Sequence, residues 1–277
     1  MVSSTSADTA EIAAFYSLGL ERDRLTTGQG ALELARTQAL LERFLPAPTA
    51  EVLDAGGGPG RYAVWLAARG YRVHLLDLVP LHVEQARTAA NARPETALAS
   101  AEVGDARVLS RCDESMDAVL LLGPLYHLTE TSARVQALAE ARRVCRRGGV
   151  VIAAVISRYA STLDGIRGSF LEDPTFAEVT AQARLHGQHR NPTENPAYFT
   201  TAYFHRPGEL ETELTAAGLT HEATLGVEGP AWFLGDLDAR LADERRRTAL
   251  LDALTAIEAE PTLLGASAHW LGVARRN

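Results

Sequence analysis

Asp54, Gly56, Gly58 and Gly60 have residue types and a spacing that suit the close approach of a ligand. Asp54 belongs to the apolar run EVLDA, and the glycines follow in the stretch GGGPG, before an apolar segment typical of a helix. Glycine lacks a Cβ, so a ligand can approach its backbone, and it also permits the positive φ of a tight turn. The pattern predicts a strand, a turn and a helix that together bind a cofactor.

Two cofactor classes use such a turn. The NAD fingerprint G-x-G-x-x-G fits poorly, because a start at Gly56 puts Arg61 at the third glycine. A start at Gly58 puts Ala63 there, which matches the relaxed form G-x-G-x-x-A, but this start lies late, four residues past Asp54. The stretch VLDAGGGPG instead resembles motif I of the class I S-adenosylmethionine-dependent methyltransferases. An NAD-dependent oxidoreductase and a non-catalytic cofactor-binding protein remain the alternatives.

Four further segments resemble the same family in the same order. They are LLDL, which contains Asp77, then VGDA with Asp105 and Ala106, then DAVLLLGPLYHL, and finally RRVCRRGGVVIAAV. The resemblance implies that the Asp77 carboxylate accepts hydrogen bonds from the ribose hydroxyls of S-adenosylmethionine. It also implies that Asp105 meets the adenine amino group and that the backbone N–H of Ala106 meets a ring nitrogen.

The methionine end of such a cofactor needs other partners. An arginine can pair bidentately with its carboxylate, and Arg36 and Arg24 in the N-terminal segment are the candidates. Tyr16 is expected to close over the cofactor. The expected cofactor-binding residues are Tyr16, Arg36, Asp54, Gly56, Gly58, Gly60, Asp77, Leu78, Asp105, Ala106 and Leu122.

The resemblance implies methyl transfer by in-line displacement to a nitrogen or oxygen atom of a small molecule, with carbon left open. Orientation supplies much of such a rate, and a base is needed only if the acceptor must lose a proton. His127 follows the fourth strand and is the candidate base. The expected substrate-binding residues are Tyr126, His127, Arg158, Tyr159, Tyr203 and His205. His186 and His189 have no carboxylate or cysteine nearby in the sequence, so we expect no metal.

Composition narrows the classes of function. All 27 basic residues are arginines, which excludes lysine Schiff bases and P-loop phosphate binding. The net charge of −8 disfavours a nucleic-acid substrate. We find no signal peptide and no apolar run of about 18 residues, so we expect a cytoplasmic protein that does not enter a membrane. Cys112 and Cys145 are expected to be free thiols, and similar proteins are often homodimers.

Strands and helices alternate from residue 51 onward, which predicts an α/β fold. We expect a Rossmann-like, seven-stranded, mostly parallel sheet with helices on both faces and an antiparallel last strand. Residues 1–48 are expected to form a helical lid segment and 49–157 the cofactor-binding core. Residues 158–205 are expected to form a cap insert of loops and short helices outside the sheet, and 206–277 to complete the core.

Overall fold

The computed structural model describes residues 4–193 and 195–277. The helices in these ranges are α1 Ser4–Tyr16, α2 Glu21–Arg24, α3 Gly28–Phe44, α4 Arg61–Ala67, α5 Pro80–Ala90, α6 Pro124–His127, α7 Thr131–Val144, α8 Ala160–Gly168, α9 Pro174–His186, α10 Glu209–Ala216, α11 Leu237–Ala242 and α12 Glu244–Ile257. The strands are β1 Glu51–Ala55, β2 Arg72–Asp77, β3 Ser100–Val103, β4 Met116–Leu121, β5 Cys145–Ser157, β6 Gln188–His189, β7 Ala202–His205, β8 Thr220–Gly226 and β9 His269–Arg275.

The central sheet has the predicted architecture. Strands β3, β2, β1, β4 and β5 lie side by side in that order and are parallel. The last strand, β9, runs antiparallel between β5 and β8. Strand β4 and the apolar residues 150–157 of β5 are buried on both faces, as continuous apolar runs in a parallel sheet require. The α/β fold with an antiparallel last strand is therefore confirmed.

The core consists of two apolar layers, one on each face of the sheet. Leu120 of β4 and Ile152 of β5 belong to the layer that packs with α3 and α4. Val119 and Val151 point to the other layer, which includes Leu138 of α7. Side chains alternate between faces along a strand, so each strand contributes to both layers.

The insert departs from the prediction, because part of it joins the sheet. Strand β7 pairs in parallel with the end of β5, with Ile156 opposite Phe204 and Ser157 opposite His205. Strand β4 ends opposite Ala153, so the longer β5 leaves an unpaired edge there. Because an unpaired strand edge invites pairing, residues 202–205 complete this edge. The expectation that residues 158–205 lie wholly outside the sheet is wrong.

The N-terminal helix α1 contacts the insert. The Oγ1 of Thr201 donates a hydrogen bond to Oε1 of Glu11 over 2.7 Å, and Arg190 forms an ion pair with Asp8 over 2.8 Å. The rings of Phe15 and Phe199 pack edge to face with centroids 5.8 Å apart. These contacts hold α1 across the carboxyl edge of the sheet.

Two sequence-based expectations concern properties other than the fold. Cys112 is exposed, Cys145 is buried, and both are free thiols, as predicted. In the part of the chain that the structure describes, every helix is too short or too polar to cross a lipid bilayer.

Candidate active site

A cavity of about 1270 Å³, including its open mouth, lies at the carboxyl edge of the parallel strands. Its floor is the turn after β1 and the ends of β2 and β3, and helices α1, α2 and α3 form its roof. Of the residues expected at the site, those that line this first cavity are Tyr16, Asp54, Gly56, Gly58, Asp77, Leu78, Asp105, Ala106, Leu122, Tyr126 and His127.

The three spaced glycines have different roles. All have positive φ: 77° at Gly56, 55° at Gly58 and 84° at Gly60. A Cβ on Gly56 would lie 2.4 Å from Cγ of Pro124, and one on Gly60 would lie 2.9 Å from Cβ of Ala86. A Cβ on Gly58 would meet nothing closer than 3.9 Å. Gly58 therefore borders open space in the cavity, whereas Gly60 does not line the cavity and allows α4 to pack closely against α5.

Asp54 is a buried carboxylate without a partner. Neither of its side-chain oxygens accepts a hydrogen bond within residues 4–193 and 195–277. Burial, together with the nearby charge of Asp77, raises the pKa of Asp54 to about 7. A buried carboxylate is costly unless it is paired. A cationic group of a ligand in the first cavity would supply the missing charge, so this side chain fits the cationic methionine end of S-adenosylmethionine.

The Asp77 carboxylate is already partly used by the protein. Its Oδ1 accepts hydrogen bonds from the N–H of Val79 over 2.9 Å and from Nδ1 of His82 over 3.1 Å. Its Oδ2 accepts from the N–H of Gly58 over 2.8 Å. Since each carboxylate oxygen has two lone pairs, the second one on Oδ2 stays available. Hydrogen bonds from both ribose hydroxyls to Asp77 therefore require His82 to move away from Oδ1. A hydrogen bond from one hydroxyl to Oδ2 does not.

Asp105 pairs with a neighbour that sequence reasoning missed. Arg107 donates to both carboxylate oxygens, with its Nη2 2.5 Å from Oδ2 and its Nε 3.0 Å from Oδ1. Burial raises the pKa of Asp105, but the hydrogen bonds from Arg107 outweigh burial and hold that pKa below its usual range. The carboxylate stays ionised, and an adenine amino group would have to share it with Arg107.

Arg24 and Arg36 lie in different surroundings. Arg24 lines the first cavity and forms ion pairs with Glu21 over 2.9 Å and Glu33 over 2.5 Å. Arg36 does not line it. Its guanidinium is buried and donates to Oε2 of Glu258 over 2.5 Å and to the carbonyl of Val227 over 3.0 Å. The expectation that Arg36 binds the cofactor is therefore corrected, because its donors serve the packing of α3 against the C-terminal part.

His127 has both ring nitrogens engaged. Its Nδ1 lies 3.2 Å from the carbonyl oxygen of Thr201, which only accepts, so Nδ1 carries the proton. Its Nε2 therefore accepts from the hydroxyl of Tyr16 over 2.7 Å. Burial lowers the pKa of His127 to about 4. A weak base with no open lone pair is poorly suited to the predicted role of general base.

A second cavity, of about 880 Å³ including its mouth, opens beside the first. The insert supplies much of its aromatic wall, which contains Phe176, Tyr198, Phe199, Phe204 and, from beyond β8, Trp232. The residues that line both cavities are Tyr16, Glu21, Arg24, Tyr126 and His269. This shared wall is where ligands in the two cavities would meet.

Four expected substrate-binding residues line neither cavity. The strand β7 sends Phe204 to the second cavity, so its neighbours Tyr203 and His205 point to the other face. There His205 pairs with Glu213 over 3.2 Å, and the ring of Tyr203 lies under the guanidinium of Arg134. Arg158 is buried and donates to the carbonyl of Phe204 over 2.6 Å. Tyr159 is 42% exposed. Since the insert joins the sheet, the expected contacts of Arg158, Tyr159, Tyr203 and His205 with substrate are corrected.

His269, at the start of β9, is a site residue that sequence reasoning missed. Its Nδ1 lies 2.6 Å from Oε1 of the buried Glu228. Burial lowers the pKa of His269, but the charges of Glu228 and Glu33 outweigh burial and raise that pKa to about 9. No local motif marks this histidine, because its partners come from α3 and from the segment after β8. The only signal was its place at one end of a predicted strand.

The predicted absence of a metal stays a prediction. Glu33, Glu228 and His269 form the one group of this kind in the described residues whose side-chain atoms lie close together. Arg24 pairs with Glu33, and the His269 imidazolium pairs with Glu228. These side chains therefore already supply the positive charge that a cation would bring.

Known proteins resemble this chain in sequence and in fold. Residues 52–149 match a family model described as a methyltransferase domain. Methyltransferase GfsG of Streptomyces halstedii is 30% identical over 138 residues, which are 49% of this chain and 48% of that protein. The chain thus spans about half the length of that curated relative.

Two solved structures share the fold at low sequence identity. A SAM-dependent methyltransferase from Methanosarcina mazei is 18% identical, with a TM-score of 0.56 over 86% of this chain and 96% of that chain. The [4+2]-cyclase SpnF is 19% identical, with a TM-score of 0.56 over 88% of this chain and 80% of that chain. The matched region contains the glycine turn, Asp77 and Asp105. Residues 52–149 therefore resemble a methyltransferase domain, which agrees with the family that the sequence predicts.

Proposed function

We propose that this protein transfers a methyl group from S-adenosylmethionine to a nitrogen or oxygen atom of a small molecule, with carbon as a less favoured acceptor. The observation that carries the proposal is Asp54, a buried carboxylate without a partner in the wall of the first cavity. S-adenosylmethionine is cationic at its sulfonium and its ammonium, so it supplies the charge that this site lacks. NADH carries no cationic group, and the quaternary pyridinium nitrogen of NAD⁺ has no N–H to donate to Asp54.

Different residues of the first cavity would bind different parts of the cofactor. Gly58 leaves room for the ligand, and the free lone pair of Asp77 Oδ2 suits a ribose hydroxyl. Asp105 and the backbone of Ala106 suit the adenine edge. Arg24, in the roof, is the better-placed arginine for the methionine carboxylate, because Arg36 does not reach the cavity.

The bound cofactor would supply a methyl group already activated by the sulfonium. The protein's part is then to exclude water and to align the acceptor with that methyl group, and orientation of this kind can contribute up to roughly 7–11 kcal/mol. The two cavities meet at the wall formed by Tyr16, Tyr126 and His269, among others, which gives the place for this alignment.

A non-catalytic cofactor-binding protein is the second candidate. SpnF, which shares the fold, is named as a cyclase, so the fold alone does not decide that a methyl group is transferred. Nucleic acid is disfavoured as a substrate by the net charge of −8. We propose a small-molecule acceptor and a homodimer.

Calorimetric titration with S-adenosylhomocysteine tests cofactor binding, with NADH titrated in parallel. We expect micromolar binding of S-adenosylhomocysteine and a loss of at least about tenfold in Asp77→Ala, about 1.4 kcal/mol. Asp113→Ala is the matched control, because Asp113 is an exposed carboxylate that lies just before β4, at the opposite edge of the sheet. No binding of S-adenosylhomocysteine, or tight binding of NADH, would contradict the proposal.

A methyl-transfer assay with labelled donor separates the two candidates. Label transferred to any member of a panel of phenols, amines and carboxylic acids supports the transferase. Binding of S-adenosylhomocysteine without transfer to any acceptor would favour the non-catalytic protein.

A further inference from the structure

The second cavity contains polar atoms that the protein leaves without partners. Ser161 and His189 line it, and within residues 4–193 and 195–277 neither Oγ of Ser161 nor Nδ1 of His189 takes part in a hydrogen bond. The Nε2 of His189 donates to the carbonyl of Tyr198 over 2.8 Å, so Nδ1 is an acceptor. Buried polar groups in folded proteins are normally paired. These two atoms therefore indicate that a ligand of the second cavity forms hydrogen bonds with them.

The rest of the wall indicates the kind of ligand. Phe176, Phe199, Phe204 and Trp232 give an apolar and largely aromatic surface. Ligand sites of this type combine aromatic walls with a few polar groups that fix orientation. An aromatic ring with one or more hydrogen-bonding groups matches this composition.

His269 is the group best placed to act on such a ligand. It lines both cavities, so it lies where the acceptor would meet the cofactor. Glu228 holds its Nδ1 over 2.6 Å, and Glu228 is itself fixed by Oγ of Ser267 over 3.0 Å and by the N–H of His269 over 3.0 Å. In the described part of the chain, no hydrogen bond engages Nε2 of His269, and this atom is not sealed from solvent. A carboxylate that orients one nitrogen leaves the other free for proton transfer.

We propose that the second cavity holds the methyl acceptor, that the acceptor is an aromatic compound with a hydroxyl group, and that His269 takes the hydroxyl proton. This inference rests on the proposed function. The acceptor O–H bond breaks and its proton goes to Nε2 of His269. The oxygen lone pair forms the new bond to the methyl carbon, and the electrons of the broken carbon–sulfur bond remain on sulfur, which leaves S-adenosylhomocysteine.

The charges around His269 suit a hydroxyl of phenolic acidity. Glu228 and Glu33 face the imidazole, with Oε2 of Glu33 3.9 Å from Nδ1, and Arg24 opposes them from α2. Glu21 lies in the same wall. The resulting pKa of about 9 makes the free base a strong proton acceptor. Its neutral form is scarce at pH 7, so transfer should become faster as pH rises.

Binding is tested first, with the protein saturated with S-adenosylhomocysteine. The probes are phenol, 2-naphthol and 4-phenylphenol, titrated by calorimetry. We expect at least one to bind, and Ala197→Leu to weaken that binding at least fivefold, because Ala197 lines only the second cavity and is exposed enough to tolerate a larger side chain. Ala249→Leu, on an exposed face of α12, is the matched control. If none of the three binds, or if Ala197→Leu and Ala249→Leu bind equally, the inference is wrong.

The proton acceptor is tested by pH profiles of transfer to the bound probe. In the wild type, kcat should rise about tenfold per pH unit and level off near pH 9. Glu228→Gln should shift both this midpoint and the imidazole NMR titration of His269 to lower pH. His269→Gln should lower kcat by about 10²–10⁴-fold and leave affinity for S-adenosylhomocysteine within threefold. His221→Gln, on the neighbouring strand β8, is the control.

Several outcomes would overturn the role of His269. An unchanged kcat in His269→Gln, or a loss of wild-type transfer on chelation of metals, contradicts it. His269→Gln could fail to fold because it leaves the Glu228 carboxylate unpaired. In that case the double variant His269→Gln/Glu228→Gln, in which both side chains are neutral, is assayed in its place. Failure of the wild type to bind S-adenosylhomocysteine would instead contradict the proposed function.

Discussion

The hydroxyl of Tyr16 donates a hydrogen bond to Nε2 of His127 over 2.7 Å, which joins the roof helix α1 to the short helix α6 after β4. Tyr16→Phe removes the donor and leaves Nε2 buried without a partner. Because the bond stabilises the neutral imidazole, we expect the pKa of His127 to rise from about 4. The free energy of unfolding should fall by about 1–3 kcal/mol. NMR titration and denaturant unfolding measure both effects, and an unchanged His127 pKa would contradict the assigned tautomer. Tyr71→Phe, which loses only a bond to the carbonyl of Pro46, is the control.

The pKa of Asp54 makes cofactor binding depend on pH. The carboxyl has a pKa of about 7 in the free protein and would be ionised beside a cationic ligand. Binding below pH 7 must then release a proton, so affinity for S-adenosylhomocysteine should rise by up to about tenfold per pH unit until pH 7. Calorimetry in buffers of different ionisation enthalpy measures the released proton. Asp54→Asn should abolish this dependence, whereas Asp113→Asn should keep it.

Asp54 also affects the stability of the protein without ligand. Its folded-state pKa lies above the unfolded value of 3.8, so the folded state holds a proton that the unfolded state releases between about pH 4 and 7. Stability from this group is therefore lost as pH rises through that range. We expect Asp54→Asn to unfold at a higher temperature than the wild type at pH 8 and to gain little at pH 4. An equal gain at both pH values would argue against a perturbed carboxyl.

Replacing Gly58 by alanine should mainly weaken ligand binding, whereas replacing Gly60 by alanine should mainly lower stability. Both have positive φ, which costs an alanine about 1–2 kcal/mol. Gly60→Ala adds a clash with Ala86, so it should lower the unfolding temperature more than Gly58→Ala. Gly58→Ala places its methyl group in the ligand's space, so it should weaken S-adenosylhomocysteine binding more. Calorimetry and thermal unfolding of the two variants separate these effects, and a reversed ranking would contradict the assigned roles.

Arg36 should matter for stability rather than for cofactor affinity. Its buried ion pair with Glu258 joins α3 to the end of α12, and breaking such a pair costs about 3–5 kcal/mol. Arg43 still reaches Glu258, so we expect Arg36→Met to lose about 3 kcal/mol. Arg69→Met, which breaks an exposed pair with Glu42, should lose under about 1 kcal/mol. If the Arg36→Met variant is as stable as the wild type but no longer binds S-adenosylhomocysteine, Arg36 binds the cofactor as the sequence predicted.

Helices α1 to α3 and the insert should act as a lid. They roof the first cavity and wall the second, so bound ligand should protect them from protease. We expect S-adenosylhomocysteine to slow cleavage within residues 10–45 and 158–205 at least threefold. Mass spectrometry of the fragments locates the cuts. Cleavage at the same rate with and without ligand would count against a lid.

Local sequence signals predicted the elements that form the first cavity. Strand β1 has the predicted bounds because an apolar run ends at a glycine turn, and β2 ends at Asp77 for a similar reason. The positions of Asp54, Gly58 and Asp77 follow from these elements. Carboxyl ends of adjacent parallel strands meet at one edge, so predicting the strands also placed their terminal residues together.

Contacts between residues far apart in the sequence determine the side-chain positions that the sequence did not predict. Tyr203 and His205 point away from the second cavity because of the register of β7 on β5, and a shift of one residue would reverse this. Arg36 is buried by Glu258, which lies 222 residues away. His269 gains its raised pKa from Glu33 and Glu228, and no spacing within the chain brings these three together.

The contact of α1 with the insert has a kinetic consequence. Phe15 against Phe199 and Glu11 against Thr201 tie the cover of one cavity to the wall of the other. If these contacts hold while α1 moves, its displacement would uncover both cavities at the same moment. The spent donor and the methylated product would share one exit, and the lifetime of this contact would set an upper limit on the number of turnovers per second.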